Sequence, residues 1–211
     1  MSAKRTQEHI LRWRQVSQPR MIVIGASAGG IQVLQQILSG FPRDFGASVL
    51  IVIHTAARDG HLSEVLARSA HMVATDAEHG KHIKRSQIYV APPDHHFMVD
   101  DSHVVLSRGP KVNRHRPAID PLFESAAKAF RKRLIGVVLT GYLDDGTAGL
   151  AAVKAYGGIS VVQDPKDAVA PNMPRSALRN VSVDYCLPGS EIAPLLIQLV
   201  DGKKVRKNHR K

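Results

Sequence analysis

The chain is 211 residues long, 44% hydrophobic and 22% charged, with a formal net charge of +11. That composition suits one globular domain with a buried core, and the single cysteine, Cys186, excludes an internal disulfide and points to a reducing, cytoplasmic setting. No apolar run reaches the roughly 18 residues of a membrane-spanning helix, and the basic N-terminus lacks the apolar core of a secretory signal.

The charge lies at the ends. Residues 1–20 carry a net +4 and residues 202–211 carry +6, which leaves the body at +1. Basic runs of this kind are usually solvated tails. No helix-turn-helix, zinc-finger or RNA-binding signature accompanies them, so no specific nucleic-acid partner is expected. The expected organisation is a basic N-terminal tail over 1–20, one domain over 21–201 and a basic C-terminal tail over 202–211.

In chain order, strand-length apolar runs occur at 21–25, 48–53, 88–91, 134–139, 159–163 and 183–187. Several are continuous rather than alternating, such as "SVLIVI" and "LIGVVLT", which suits strands buried on both faces of a parallel sheet. Helical patterns fall between them at 29–38, 61–69, 117–131, 144–156, 174–180 and 190–200, with Pro117 and Pro174 placed for first-turn prolines. Over 95–107, "HHFMVDDSHVVLS" interrupts the alternation with two short runs around a turn, which predicts an antiparallel hairpin. The fold class is therefore α/β: a doubly wound, mainly parallel sheet with helices on both faces and one antiparallel hairpin.

Ligands of such sheets bind beyond the carboxyl ends of the strands. The first run ends in "GAS" at Ser27, the second in His54, and the fourth runs into "TGYLDDG" with Asp144 and Asp145. Serine, histidine and aspartate past three strand ends of one sheet are the components of a nucleophilic triad. "GASAG" also matches G-x-S-x-G in a strand-to-helix turn, where the following helix offers free backbone N–H groups. Taken singly, each has an ordinary structural reading: a small residue in a phosphate loop, a core or capping histidine, a turn or N-cap aspartate.

A dinucleotide fold is the main rival. It wants a glycine where Ser27 stands and an acid at the end of the second strand, where His54 stands. No tyrosine is followed by lysine four residues on, as a short-chain dehydrogenase would require. The 11 histidines suggest a metallohydrolase, with His54, Asp59, His61, His95 and His96 as the densest group, but no H-E-x-x-H or cysteine-based spacing occurs. Neither metal nor organic cofactor is expected.

"IGASAGG" (24–30), "IVIHT" (51–55), "KVNRHRPAID" (111–120) and "LTGYLDDGTAG" (139–149) together resemble the catalytic domain of the CheB-type chemotaxis methylesterases; "YVAPPDHH" (89–96) and "MPRSAL" (173–178) agree in order and spacing. The resemblance implies hydrolysis of glutamate methyl esters on the cytoplasmic helices of bacterial chemoreceptors, with glutamine deamidation in some members. It implies Ser27 as nucleophile, His54 as base, Asp145 as third triad member and the backbone N–H at Tyr142 as an oxyanion donor. Asn113, His115 and Arg116 belong to the family signature near the cleft. The chain departs from the family at Ala28, where threonine is frequent, and at "GYLDDG", where "GMGxDG" is usual. Only 20 residues precede the first strand, which predicts either a stand-alone esterase, constitutive or regulated by a partner in trans, or a fragment of a longer chain. Alternatives are a catalytically silent receptor-binding or scaffold paralogue of the same fold and, more remotely, a dinucleotide-binding oxidoreductase.

Overall fold

The computed structural model describes residues 21–54 and 61–207. In chain order the elements are β1 (Met21–Ala26), α1 (Gly30–Ser39), β2 (Ser48–Ile53), α2 (Leu62–Ala67), β3 (Val73–Asp76), β4 (Gln87–Val90), β5 (His96–Asp100), β6 (His103–Ser107), α3 (Ile119–Phe130), β7 (Leu134–Val138), α4 (Thr147–Ala155), β8 (Ile159–Gln163), α5 (Asn172–Asn180), β9 (Tyr185–Leu187) and α6 (Gly189–Val200). Seven strands form one sheet in the order β3-β4-β2-β1-β7-β8-β9, with every pairing parallel. β5 and β6 form the separate antiparallel hairpin. The α/β expectation holds.

The continuous apolar strands divide their side chains between two cores. Ile22, Ile24, Val49, Ile51, Ile135 and Val137 face one core, shared with α1, α2 and α6. Val23, Leu50, Val52, Leu134 and Val138 face the other, shared with α3, α4, α5 and the hairpin. Alternation between two apolar layers explains why no polar residue breaks these runs.

Two sequence expectations differ in detail. β3 was not anticipated: "VATD" is a four-residue edge strand with Val73 58% exposed, so it lacks the apolar continuity of the central strands. Pro117 precedes α3 by two residues instead of sitting in its first turn, where Pro121 is found; Pro174 does lie in the first turn of α5. Residues 1–20, 55–60 and 208–211, and with them the whole N-terminal tail, the last four residues of the C-terminal tail and Asp59, lie outside the described residues.

β1 pairs with β2 on one side and β7 on the other, so the chain reverses its direction of travel across the sheet at β1. That switch point is where an open parallel sheet forms a crevice at its carboxyl edge. Among the described residues, no helix is long and apolar enough to cross a membrane.

Candidate active site

The crevice is assembled from the residues that terminate β1, β2 and β7. Ala26 is in register with Ile53 at the ends of β1 and β2. Ser27 and His54 are the next residues of the two chains, and the His54 N–H donates to Ala26 O at 3.0 Å. Neighbouring parallel strands lie about 4.8 Å apart, so the register alone brings the serine and the histidine side by side.

The turn at Ser27 is held by buried polar groups. The Ser27 N–H donates to Thr140 O at 2.9 Å, and Ser27 O accepts from the Gly30 N–H at 2.9 Å. Thr140, fully buried past the end of β7, donates its hydroxyl to Ala28 O at 2.9 Å and accepts from the Ala170 N–H at 2.8 Å. The Thr140 N–H donates in turn to Gln163 Oε1 at 2.9 Å. The next residue, Gly141, is wedged between Ser27 and Met173: an added Cβ would lie 2.8 Å from Ser27 Cβ and 2.0 Å from Met173 Sδ. The N–H groups of Ala28 and Tyr142 have no acceptor among the described residues.

His54 Nε2 stands 2.8 Å from Asp145 Oδ2, and both side chains are almost wholly buried. Nε2–H is therefore the donor to the carboxylate, which leaves the lone pair of the neutral ring on Nδ1. Nδ1 is buried and has no hydrogen-bond partner.

Asp145 is gripped from several sides. Its Oδ2 also accepts from the Ile119 N–H at 2.7 Å, and its Oδ1 accepts from Asn113 Nδ2 at 2.8 Å, the Gly146 N–H at 3.0 Å and the Asp120 N–H at 3.2 Å. Burial pushes this carboxyl up, but bonds from His54, Ile119 and Asn113 outweigh it and hold Asp145 below its ordinary value. It accepts the first N–H groups of α3, a helix that starts 26 residues back and whose own N-cap position is Ala118. α3 approaches this closely because Gly25 of β1 has no side chain: a Cβ there would meet Ile119 Cγ2 at 2.4 Å. Asp144 is exposed and makes none of these contacts.

Asp120 is the residue sequence reasoning missed. It is buried, its Oδ1 accepts from the N–H groups of Gly146 (3.0 Å) and Gly149 (2.7 Å), and its Oδ2 accepts from Asn113 Nδ2 at 2.7 Å. Burial raises it to about 6, opposed by the Gly149 N–H and reinforced by the nearby Asp145 charge. A carboxylate in the first turn of a helix is ordinary dipole chemistry, so nothing local singles it out. Thr140 and Gln163 were legible in principle, since both end strands on the functional edge.

Of the signature residues, Asn113 joins Asp120 to Asp145, and His115 stacks on His54 with ring centroids 3.6 Å apart and planes 7° from parallel. Burial, then the neighbouring His54, lowers the His115 value, which favours the neutral ring against His54. Arg116 turns elsewhere: it binds Asp94 Oδ1 through Nε and one terminal nitrogen (2.9 and 2.7 Å) and the Gly109 carbonyl through the other (2.7 Å). Tyr142 and Ala28 border Ser27 through backbone, with the Tyr142 side chain 64% exposed. The remaining histidines of interest are dispersed: His61 pairs with Glu64, His95 with Pro93 O and Arg108, and His96 with Pro110 O and the Ala118 N–H.

Known proteins share this arrangement of sequence and fold. The model of the CheB methylesterase family matches residues 22–196. A Leptospira interrogans protein named for protein-glutamate methylesterase and protein-glutamine glutaminase activity is 44% identical over 180 residues, 84% of this chain and 93% of that one. A protein of the same two named activities from Anaeromyxobacter dehalogenans is 36% identical over 182 residues, of which this chain spans only 53% of the length. The crystal structure of the Thermotoga maritima CheB methylesterase catalytic domain superposes with a TM-score of 0.82 at 33% identity, covering 86% of this chain and 99% of that domain. The chain belongs to the CheB methylesterase family, a family of carboxylic ester hydrolases.

Proposed function

We propose that this chain hydrolyses glutamate methyl esters on the cytoplasmic helices of chemoreceptors through Ser27, His54 and Asp145. The observation that carries the reading is the His54 ring, fixed to Asp145 through Nε2 at 2.8 Å with a buried Nδ1 that has no other partner. Nδ1 is then the general base. In the familiar serine-protease arrangement the two ring nitrogens hold the opposite roles. Ser27 Oγ and Nδ1 share no hydrogen bond among the described residues; such contacts tighten in a substrate complex.

Two acyl-transfer steps follow. Ser27 Oγ attacks the ester carbonyl as Nδ1 takes its proton, and the proton passes to the departing methoxide, which leaves as methanol. Water then attacks the acyl-serine with Nδ1 as base, releasing the glutamate carboxylate and restoring the hydroxyl. The N–H groups of Ala28 and Tyr142 are the donors for the developing oxyanion. Asp145, kept anionic by its donors, stabilises the imidazolium, and His115 holds the ring plane from one face. Glutamine deamidation is the same sequence with ammonia leaving. A regulatory partner acting in trans fits this reading.

A fluorophosphonate probe tests the nucleophile without needing the receptor. It should label Ser27 and no other serine, with labelling lost in His54→Ala. Labelling elsewhere, or none, contradicts the assignment.

A further inference from the structure

Five large apolar side chains are exposed among the described residues, and three of them border the crevice: Tyr142, Leu143 and Val169. Tyr142 and Leu143 lie in the turn leading to Asp145. Val169 packs where a Gly29 side chain would be, 2.7 Å from that Cβ position, at the turn after Ser27. Exposed apolar residues scattered over a surface carry no meaning, but a group bordering a site marks contact with a partner.

Beside this rim runs a groove of about 270 Å³ lined by Leu143, Asn172, Arg175, Ser176, Arg179 and Asn180. Arg175 and Arg179 are exposed at i and i+4 of α5, and neither pairs with a described carboxylate. Like charges at that spacing weaken a helix slightly, so the pair stands at a local cost. α5 is anchored at the site, since Met173 packs on Gly141 opposite Ser27 and the Met173 N–H donates to Gly141 O at 2.9 Å. Arg179, six residues further, lies about 9 Å along the helix axis from Met173. Lys111 and Arg114 are exposed beyond the other side, in the loop that carries Asn113 and His115.

We infer that the apolar rim and the Arg175–Arg179 face form a docking surface for an acidic, amphipathic helix that presents its glutamyl ester to Ser27. The inference rests on the methylesterase reading, and the substrate chemistry supplies the charge: a helix whose glutamates are esterified and hydrolysed is anionic wherever the ester is gone. Apolar residues of that helix meet Tyr142, Leu143 and Val169, while carboxylates two to three turns from the ester meet the arginines.

Two helical peptides provide the test, each with one γ-methyl glutamate. One carries glutamates on the same face at i+7 and i+11 and the other carries glutamines there. Methanol release from the acidic peptide should be about tenfold more efficient in kcat/KM at low ionic strength. The preference should disappear in Arg175→Glu/Arg179→Glu, which keeps its turnover of p-nitrophenyl acetate, and in the parent enzyme in about 0.5 M salt. Equal rates for the two parent reactions, or a preference that survives charge reversal, overturns the docking surface and leaves the esterase reading standing. Absence of methanol from both peptides overturns both.

Discussion

Asp145 does two jobs with one carboxylate: it fixes the tautomer of His54 and caps α3. Neither job is available to its neighbour Asp144, which is exposed. Replacing Asp145 by asparagine puts an amide N–H within reach of Nε2–H, and the ring can then recover a hydrogen bond only by moving its proton to Nδ1, the atom proposed as base. Asp145→Asn should lower kcat by about 10³–10⁴-fold, whereas Asp144→Asn should stay within about twofold in the same steady-state ester assay. Equal losses would mean that the geometry around Asp145 is structural only. His115 is placed to position the His54 ring, on which it stacks at 3.6 Å between centroids. Ala28 contributes its carbonyl to Thr140 and its N–H to the crevice, so the missing side-chain hydroxyl leaves the backbone of the turn intact.

At the scale of elements, α3 and α4 cap each other. Asp145, just before α4, receives the first N–H groups of α3, and Asp120, in α3, receives those of Gly146 and Gly149 at the start of α4. Asn113 ties the two carboxylates together. The folded-state value of Asp120, about 6, lies above its ordinary value of 3.8. The neutral acid is thus favoured in the folded chain, and its stabilising contribution is present below pH 3.8 and lost as the pH rises through about 6. Asparagine mimics the neutral acid. Asp120→Asn should therefore gain about 2–3 kcal/mol relative to the parent between about pH 4 and pH 8, read from urea midpoints; a constant difference would contradict the shift. The elements themselves were legible because their strands are continuously apolar and their helices periodic. The approach of Ser27, His54 and Asp145 was legible because strand ends in a parallel sheet converge on one edge. The cross-capping was not, because it depends on how close α3 comes to β1, a distance set by Gly25 and Ile119 rather than by any local pattern. Arg116 illustrates the same limit: a loop's backbone can be placed by its motif while the direction of its side chain cannot.

Across the whole molecule, the sheet edge farthest from β3 is tied to the C-terminal segment by Asp184. It is buried and receives Lys154 Nζ at 2.6 Å, the Ser160 N–H at 3.0 Å and the ammonium of Lys207, while the Tyr185 hydroxyl donates to Val205 O at 3.1 Å. Burial raises the Asp184 carboxyl, but Lys154, Lys207 and Ser160 outweigh it and hold the group below 3.8. Its stabilisation is therefore present above pH 3.8 and lost as the pH falls through the lower folded value. Asp184→Asn should cost about 1–3 kcal/mol near pH 7 by denaturant unfolding, with a difference that narrows below pH 3.8. Such contacts hold the scaffold; the proposed chemistry rests on one edge of it, where β1, β2 and β7 end. Methanol release from methylated receptor membranes, compared between the parent chain and Ser27→Ala, tests that account most directly. The account predicts steady release by the parent and a loss of about 10⁴–10⁶-fold in the variant. Release by Ser27→Ala at the parental rate, or none by the folded parent, would contradict it.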